Sequence, residues 1–204
     1  MRQSLKLQNH SFHSIPININ LTDDLNILLK GCIRYDRLSQ EKLYRQFYPD
    51  LFALCHKFFD DEHDILTALN NGMMNVFNSI EKYDANRGEL AGWIYSIVRN
   101  AAISVVRTKR REMITNELVG DMLLEASVNP LGNFDEEVIL RFLSTLSATT
   151  RAVFNLFYME GFMIKEISQS LDMKEGTVKW HLSESRTKLK TNFYGQIKHS
   201  VYAK

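Results

Sequence analysis

The stretch Ile164-Lys165-Glu166-Ile167-Ser168-Gln169-Ser170-Leu171-Asp172-Met173-Lys174-Glu175-Gly176-Thr177-Val178-Lys179-Trp180-His181-Leu182 holds two helical patterns separated by a tight turn. Ile164, Ile167 and Leu171 give the first pattern one apolar face. Small Ser168 allows a second helix to approach closely. Asp172 stands where the turn needs a left-handed residue, which Asp tolerates better than most. Met173 plugs the corner. In the second pattern Val178, Leu182, Ser185 and Leu189 share one face, and Lys179, Ser183, Arg186 and Lys190 share the opposite one. Together these features read as a helix-turn-helix. A major groove admits such a helix, with its N-terminal residues at base edges and its cations at phosphates. An ordinary helical hairpin with a solvated cationic face has the same periodicity. Trp180 suits packing under the helix or stacking on DNA, and His181 suits a surface histidine or a base reader.

The rest of the chain agrees with an all-α protein. Gly and Pro number 9 and 3 among 204 residues, too few for a turn-rich β fold. The 25 Lys and Arg against 24 Asp and Glu leave a formal charge of +1, which excludes a uniformly basic binder. Any nucleic-acid surface must then come from local segregation of charge. No run approaches the ~20 apolar residues of a membrane span, so a soluble, cytoplasmic protein without membrane insertion is expected. Cys32 and Cys55 make no disulfide framework. Cys55, His56 and His63, with distant Cys32, match no common zinc spacing, so no metal and no cofactor are expected. A phosphate-cradling glycine loop, an HExxH pair and a nucleophile elbow are all missing from the sequence, which argues against an enzyme.

Residues 1–21 read as a flexible tail and 194–204 as a second one. Helical periodicity fills 22–111: a first helix with Leu25, Leu28, Leu29 and Ile33, then 40–48 continuing through Leu51, Leu54 and Phe58, then 64–82 with Ile65, Leu69, Met73, Val76, Phe77 and Ile80. Thr22 is a plausible N-cap. Pro16, Pro49 and Pro130 each mark an expected break. Residues 112–135 form an acidic linker: from Glu112 to Glu137 there are seven acidic residues and no basic one. A second helical domain follows over 136–193, with helices at 136–146, 148–159 ended by Gly161, 164–171 and 175–193.

Residues 84–111 hold six basic residues and two acidic ones. Ile94, Ile97, Val98, Ala101 and Val105 form an apolar stripe, and Ser96, Asn100, Ser104, Arg107 and Arg111 a polar stripe beside it. Cations with Tyr83, Trp93 and Tyr95 nearby suit a strand with unstacked bases, whose phosphates meet Arg and Lys while its bases meet aromatic rings. Alone, Trp93 reads as a core residue and the basic end as a solvated helix terminus.

The run Asp84-Ala85-Asn86-Arg87-Gly88-Glu89-Leu90-Ala91-Gly92-Trp93-Ile94-Tyr95-Ser96-Ile97-Val98-Arg99-Asn100-Ala101-Ala102-Ile103, with Arg107 and Arg110-Arg111, resembles the promoter-melting helix of bacterial sigma factors of the extracytoplasmic-function (ECF) subfamily. Residues 29–32 and 40–44 resemble the start of the same domain. Glu175-Gly176-Thr177-Val178-Lys179, with Leu182 and Arg186, resembles the family's second domain. The resemblance implies a factor that directs core RNA polymerase to promoter DNA and helps melt it. Asn86, Arg87, Gly88, Trp93, Tyr95, Arg99, Asn100, Arg107, Arg110 and Arg111 would then bind the minus-ten element as a melted strand, with one base flipped into the 86–90 loop. Glu175, Thr177, Lys179, Trp180, His181, Ser183, Arg186 and Lys190 would bind the minus-thirty-five duplex. Asn70, Asn71, Met74 and Phe77 would contact core polymerase; Thr67 and Asn71 stand where the family commonly has acids, and Lys174 replaces the usual Ser at the recognition-helix cap. The linker would enter the RNA-exit path and mimic the transcript's phosphates. An anti-sigma factor is the third candidate partner. Two other readings stay open: a helix-turn-helix regulator working without core polymerase, and a helical protein-binding adaptor.

Overall fold

The computed structural model describes residues 23–113 and 136–201, so the N-terminal tail, most of the acidic linker with Pro130, and the Thr22 cap lie outside the described residues. Eight α-helices and no strand occur among the described residues: α1 (Asp23–Ile33), α2 (Arg37–His56), α3 (Glu62–Ser79), α4 (Leu90–Met113), α5 (Glu136–Ser144), α6 (Ala148–Phe154), α7 (Ile164–Leu171) and α8 (Glu175–Val201).

Local chemistry sets the helix starts. Asp36 caps α2: its Oδ2 accepts from the Ser39 backbone N–H at 2.9 Å and from the Ser39 hydroxyl at 2.6 Å. Those two bonds hold the Asp36 carboxyl below the usual carboxylate range. Asp61 caps α3 by accepting from the Asp64 N–H at 3.2 Å. The break expected at Pro49 is not there; α2 runs through it. Pro49 and Arg45 are both exposed, so the carbonyl that loses its helical donor lies on the wet side, where water satisfies it.

Helices α1 to α4 bury Leu28, Leu43, Leu51, Phe58, Leu69 and Ile94 among others in one core. The α3–α4 pairing is the most extensive, and Gly72 permits it. A Cβ at Gly72 would stand 2.8 Å from both Cα and Cγ2 of Val98, closer than real Cβ contacts come. Ile33, read as a core residue of α1, is instead exposed at 36%.

Helices α5 to α8 form the second unit. Phe142, Leu143, Leu146, Phe154 and Leu189 make a small cluster of their own. The expected 148–159 helix begins as α6 and widens into a π-helical turn over Asn155–Met159, after which Gly161 takes a left-handed φ of 73°. The two units are not separate cores. Ala152, Val153, Leu156, Ile167, Leu171, Val178 and Leu182 belong to the same buried cluster as α2, α3 and α4. Helices α6 and α7 lie directly against α4.

Candidate nucleic-acid interfaces

The helix-turn-helix forms as its residues dictate. Asp172 adopts φ 54°, ψ 52° at the end of α7, the left-handed conformation the turn requires. Ser168 Oγ donates to the Met173 carbonyl at 2.6 Å, which ties the turn to α7. Glu166 reaches back to accept from the Met163 N–H at 2.8 Å. Val178, Leu182, Ser185 and Leu189 are all buried. On the other side Glu175 and Lys190 are exposed, and Thr177, Lys179, Trp180, Ser183 and Arg186 are half-buried.

His181 departs from expectation. Expected among the surface and duplex-reading residues, it is only 2% exposed. Its Nδ1 lies 2.9 Å from Thr150 Oγ1, and Thr150 donates its hydroxyl to Glu184 at 2.8 Å. The Ser147 hydroxyl also donates to Thr150 Oγ1. With its single proton given to Glu184, Thr150 accepts from His181, which assigns the proton to Nδ1. Burial pushes the imidazole down to about 4, against the opposing pull of Glu184. A neutral histidine packed across from α6 therefore joins α8 to its own unit and has no face toward a groove. One helical step separates Lys179 from the core-facing residues, and the sequence pattern does not say on which side of that boundary 181 falls.

On α4 the structure divides the expected strand-binding residues. Asn86, Arg87 and Gly88 are exposed in a loop before the helix. Asp84 Oδ1 accepts from the Asn86 N–H and side-chain amide, both at 2.9 Å, and Tyr83 donates to the Gly88 carbonyl at 3.1 Å. Gly88 has φ 151°, ψ 173°, a conformation in which side chains are strained. Trp93 stacks tilted on Tyr83 at 5.6 Å. Asn100 is exposed on the following turns.

The remaining residues lie along the second unit, Tyr95 and Arg99 largely covered by it and Arg111 still exposed. Glu160 accepts from the Tyr95 hydroxyl at 2.7 Å and from Arg99 Nη1 at 3.1 Å, with its own side chain 4% exposed. The Arg99 guanidinium also lies 4.9 Å above the Phe162 ring. Burial and the Glu160 charge push the Tyr95 phenol well above its ordinary range. Arg110 donates to the Leu171 carbonyl at 3.2 Å and to that of Asp172, while Arg111 pairs with Asp172 at 2.5 Å. Arg107 is half-buried beside them. Hydrogen bonding from Arg111 first, then its charge, holds the Asp172 carboxyl low.

The sequence reading missed the residues that make this junction. Arg151, 1% exposed, donates to the His56 carbonyl at 2.7 Å and the Lys57 carbonyl at 3.3 Å, and pairs with Asp60. It thus caps the C-terminus of α2 from the second unit. No spacing signal marks a contact spanning some 95 residues. The expected polymerase contacts sit on one side of α3: Asn70, Asn71 and Met74 are exposed and Phe77 is half-buried. Asn70 Oδ1 accepts from the Tyr44 hydroxyl at 2.8 Å, which orients its amide.

Two family models match the chain: sigma-70 region 2 over residues 43–112, and sigma-70 region 4 over residues 136–189. Each covers one of the two units just described. The chain belongs to the sigma-70 family. It is an RNA polymerase sigma factor of the ECF subfamily. It is 25% identical over 155 residues to the ECF RNA polymerase sigma factor SigM of Bacillus subtilis, covering 75% of this chain and 94% of that protein. It is 24% identical to the ECF RNA polymerase sigma factor SigW of the same organism, covering 70% of this chain and 83% of that one. Among solved structures it is similar to the sigma factor RpoE in complex with the anti-sigma factor NepR from Bartonella quintana. That match has 20% identity and a TM-score of 0.41, over 74% of this chain and 93% of that one. The region 2 match runs from within α2 through α3 into α4, and the region 4 match from α5 through α7 into α8. No helix among the described residues is long and apolar enough to cross a membrane.

Proposed function

We propose that this sigma factor reads two promoter elements with two surfaces on one chain. The 86–90 loop and α4 take the opened minus-ten strand, with Asn86 and Asn100 offering amides to bases and Trp93 a ring to stack on. Helix α8 enters the major groove at the minus-thirty-five element through Thr177, Lys179, Ser183 and Lys190, with Arg186 beside them. The exposed side of α3 at Asn70, Asn71 and Met74 meets core polymerase. The role is binding rather than catalysis, in keeping with the family. Its partners are core polymerase and promoter DNA, and an anti-sigma factor is proposed as a third on family membership alone.

The observation that carries this reading is an aromatic-basic helix followed by a cationic recognition helix, in the chain order of regions 2 and 4. A helix-turn-helix regulator has no need of the aromatic-basic helix. The test is run-off transcription with core polymerase, on promoters recovered by pulling down the holoenzyme on fragmented genomic DNA. Initiation from a defined set of sites only in the presence of both components is expected. Tight, site-specific duplex binding by the free protein, unaffected by core polymerase, would sink the proposal in favour of a regulator. Within the holoenzyme, Lys179→Ala should weaken duplex promoter binding and leave a pre-melted bubble template unaffected. Asn100→Ala should do the reverse.

A further inference from the structure

Glu160 is held the way a nucleic-acid phosphate would be. One carboxylate oxygen accepts from the Tyr95 hydroxyl at 2.7 Å and the other from Arg99 Nη1 at 3.1 Å. Both donors belong to the helix read above as the strand-binding surface. An arginine and a phenol projecting from adjacent turns of a basic helix form an anion site of the kind that positions a backbone phosphate. The carboxylate fills that site from within the chain, buried at 4% exposure. A second anionic group does the same at the far end of α4, where the Asp172 carboxylate takes Arg111 and the Leu171 and Asp172 carbonyls take Arg110.

We propose that the docked arrangement is a self-occluded form of the sigma factor, in which Glu160 occupies the phosphate subsite formed by Tyr95 and Arg99, so that region 4 docking and single-strand binding exclude each other. The proposal rests on the reading of α4 as the strand-binding helix. Charge complementarity carries it at both ends of the interface: acidic side chains or carbonyls of region 4 meet Tyr95, Arg99, Arg110 and Arg111, all four of them strand-binding candidates. Sterics agree, because a buried carboxylate and a strand phosphate cannot both sit between Tyr95 and Arg99.

The local backbone delivers Glu160 to this place. The π-helical turn Asn155–Met159 ends with the Glu160 N–H donating to the Asn155 carbonyl at 3.0 Å, and Gly161 at φ 73° turns the chain away immediately afterwards. Phe162 then packs under the Arg99 guanidinium. A π turn widens the helix and satisfies its carbonyls less well than an α turn, and such turns gather at functional sites. The closed form is held by charge pairing, which a competing anion can replace.

The experiment uses the full chain and a fluorescein-labelled single-stranded 20-mer of mixed sequence, read by anisotropy. Cysteines introduced at exposed Glu41 and Thr191 report the distance between the units by spin-label spectroscopy, since native Cys32 and Cys55 are buried and resist labelling. Glu160→Gln should lower the apparent Kd for the strand at least about threefold and lengthen the label distance. Asp172→Asn, which keeps the left-handed turn accessible, should produce a smaller change in the same direction. Adding the 20-mer to the parent chain should lengthen the distance, and adding excess strand to Glu160→Gln should change it little. An unchanged Kd for both variants, or strand binding at an unchanged label distance, overturns the self-occlusion. Arg99→Ala and Asn100→Ala placed on the Glu160→Gln background separate the two ideas. If both leave strand binding intact, the reading of α4 itself fails and the occlusion with it. If they weaken binding while Glu160→Gln alone has no effect, only the occlusion fails.

Discussion

Helices α4 and α8 carry the two candidate DNA surfaces, and their sequences describe them unequally well. The buried face of α8 holds every residue its pattern announces, Val178, Leu182, Ser185 and Leu189, with His181 as the one addition among 178–189. Its partners α6 and α7 lie within a few tens of residues, so each apolar position answers to a neighbour formed by the same short stretch of chain. On α4 the pattern announces one stripe, and the structure buries more. Ile94, Val98 and Ala101 are buried as expected, Ile97 and Val105 are only half-buried, and Ala102, Ile103 and Val106 join the core. Helix α4 packs against α2 and α3 on one side and α6 and α7 on the other. A periodicity argument sees a single wet face opposite a single dry one. It fails where a remote element covers the wet face.

The largest expected effect tests that remote cover. Arg151→Ala removes a buried side chain and leaves the His56 and Lys57 carbonyls at the end of α2 without their donor, and should cost about 3 to 4 kcal/mol in urea unfolding. Asp60→Asn should also be costly, because it leaves the buried Arg151 guanidinium without its counter-charge, but less so than Arg151→Ala because the two carbonyl partners remain. Hydrogen exchange should quicken on the Tyr95–Arg99 turn of α4 in Arg151→Ala and change little at Val178 and Leu182. Equal acceleration on both helices would dissolve the contrast between them.

Acid comes next. The folded pKa of His181 is depressed to about 4 from an ordinary 6.5. The unfolded chain therefore binds the extra proton first as pH falls. The contribution of the neutral, buried imidazole is complete above about pH 6.5 and declines between 6.5 and 4, by up to about 3 kcal/mol. His181→Gln should flatten that part of the stability–pH curve. A curve unchanged by the substitution would place His181 at the surface.

Gly72→Ala should cost about 2 kcal/mol, because the new Cβ meets Val98 backbone and side chain and α3 and α4 must part. It probes the side of α4 whose partner is near in sequence, and Tm in a thermal scan measures it. The smallest effect belongs to the recognition face. Lys179→Ala should leave stability within about 0.5 kcal/mol and reduce the salt slope of duplex binding by roughly 0.9 if Lys179 meets a phosphate. An unchanged slope would assign Lys179 to bases or to solvent.

Much of the site was legible in residues alone. The left-handed turn at Asp172, the exposed Asn86-Arg87-Gly88 loop and the exposed Asn100 are each where their chemistry put them. The exceptions share a cause. Pro49 reads as a break, yet it rides on the exposed side of α2, where losing one backbone bond is cheap. His181 reads as polar surface, yet Thr150, 31 residues earlier, supplies its partner. Arg99, Arg110 and Arg111 read as open cations, yet Glu160 and Asp172 engage them from more than 60 residues away.

By itself, the sequence determined the helical class, the helix-turn-helix, the aromatic-basic helix and the family, because these depend on spacing within one helix or one turn. Tertiary structure alone decided that the two units share a core, that Arg151 caps α2, and that Glu160 sits on Tyr95 and Arg99. Those depend on which helices meet, and a charged residue looks the same in sequence whether water or a distant partner satisfies it.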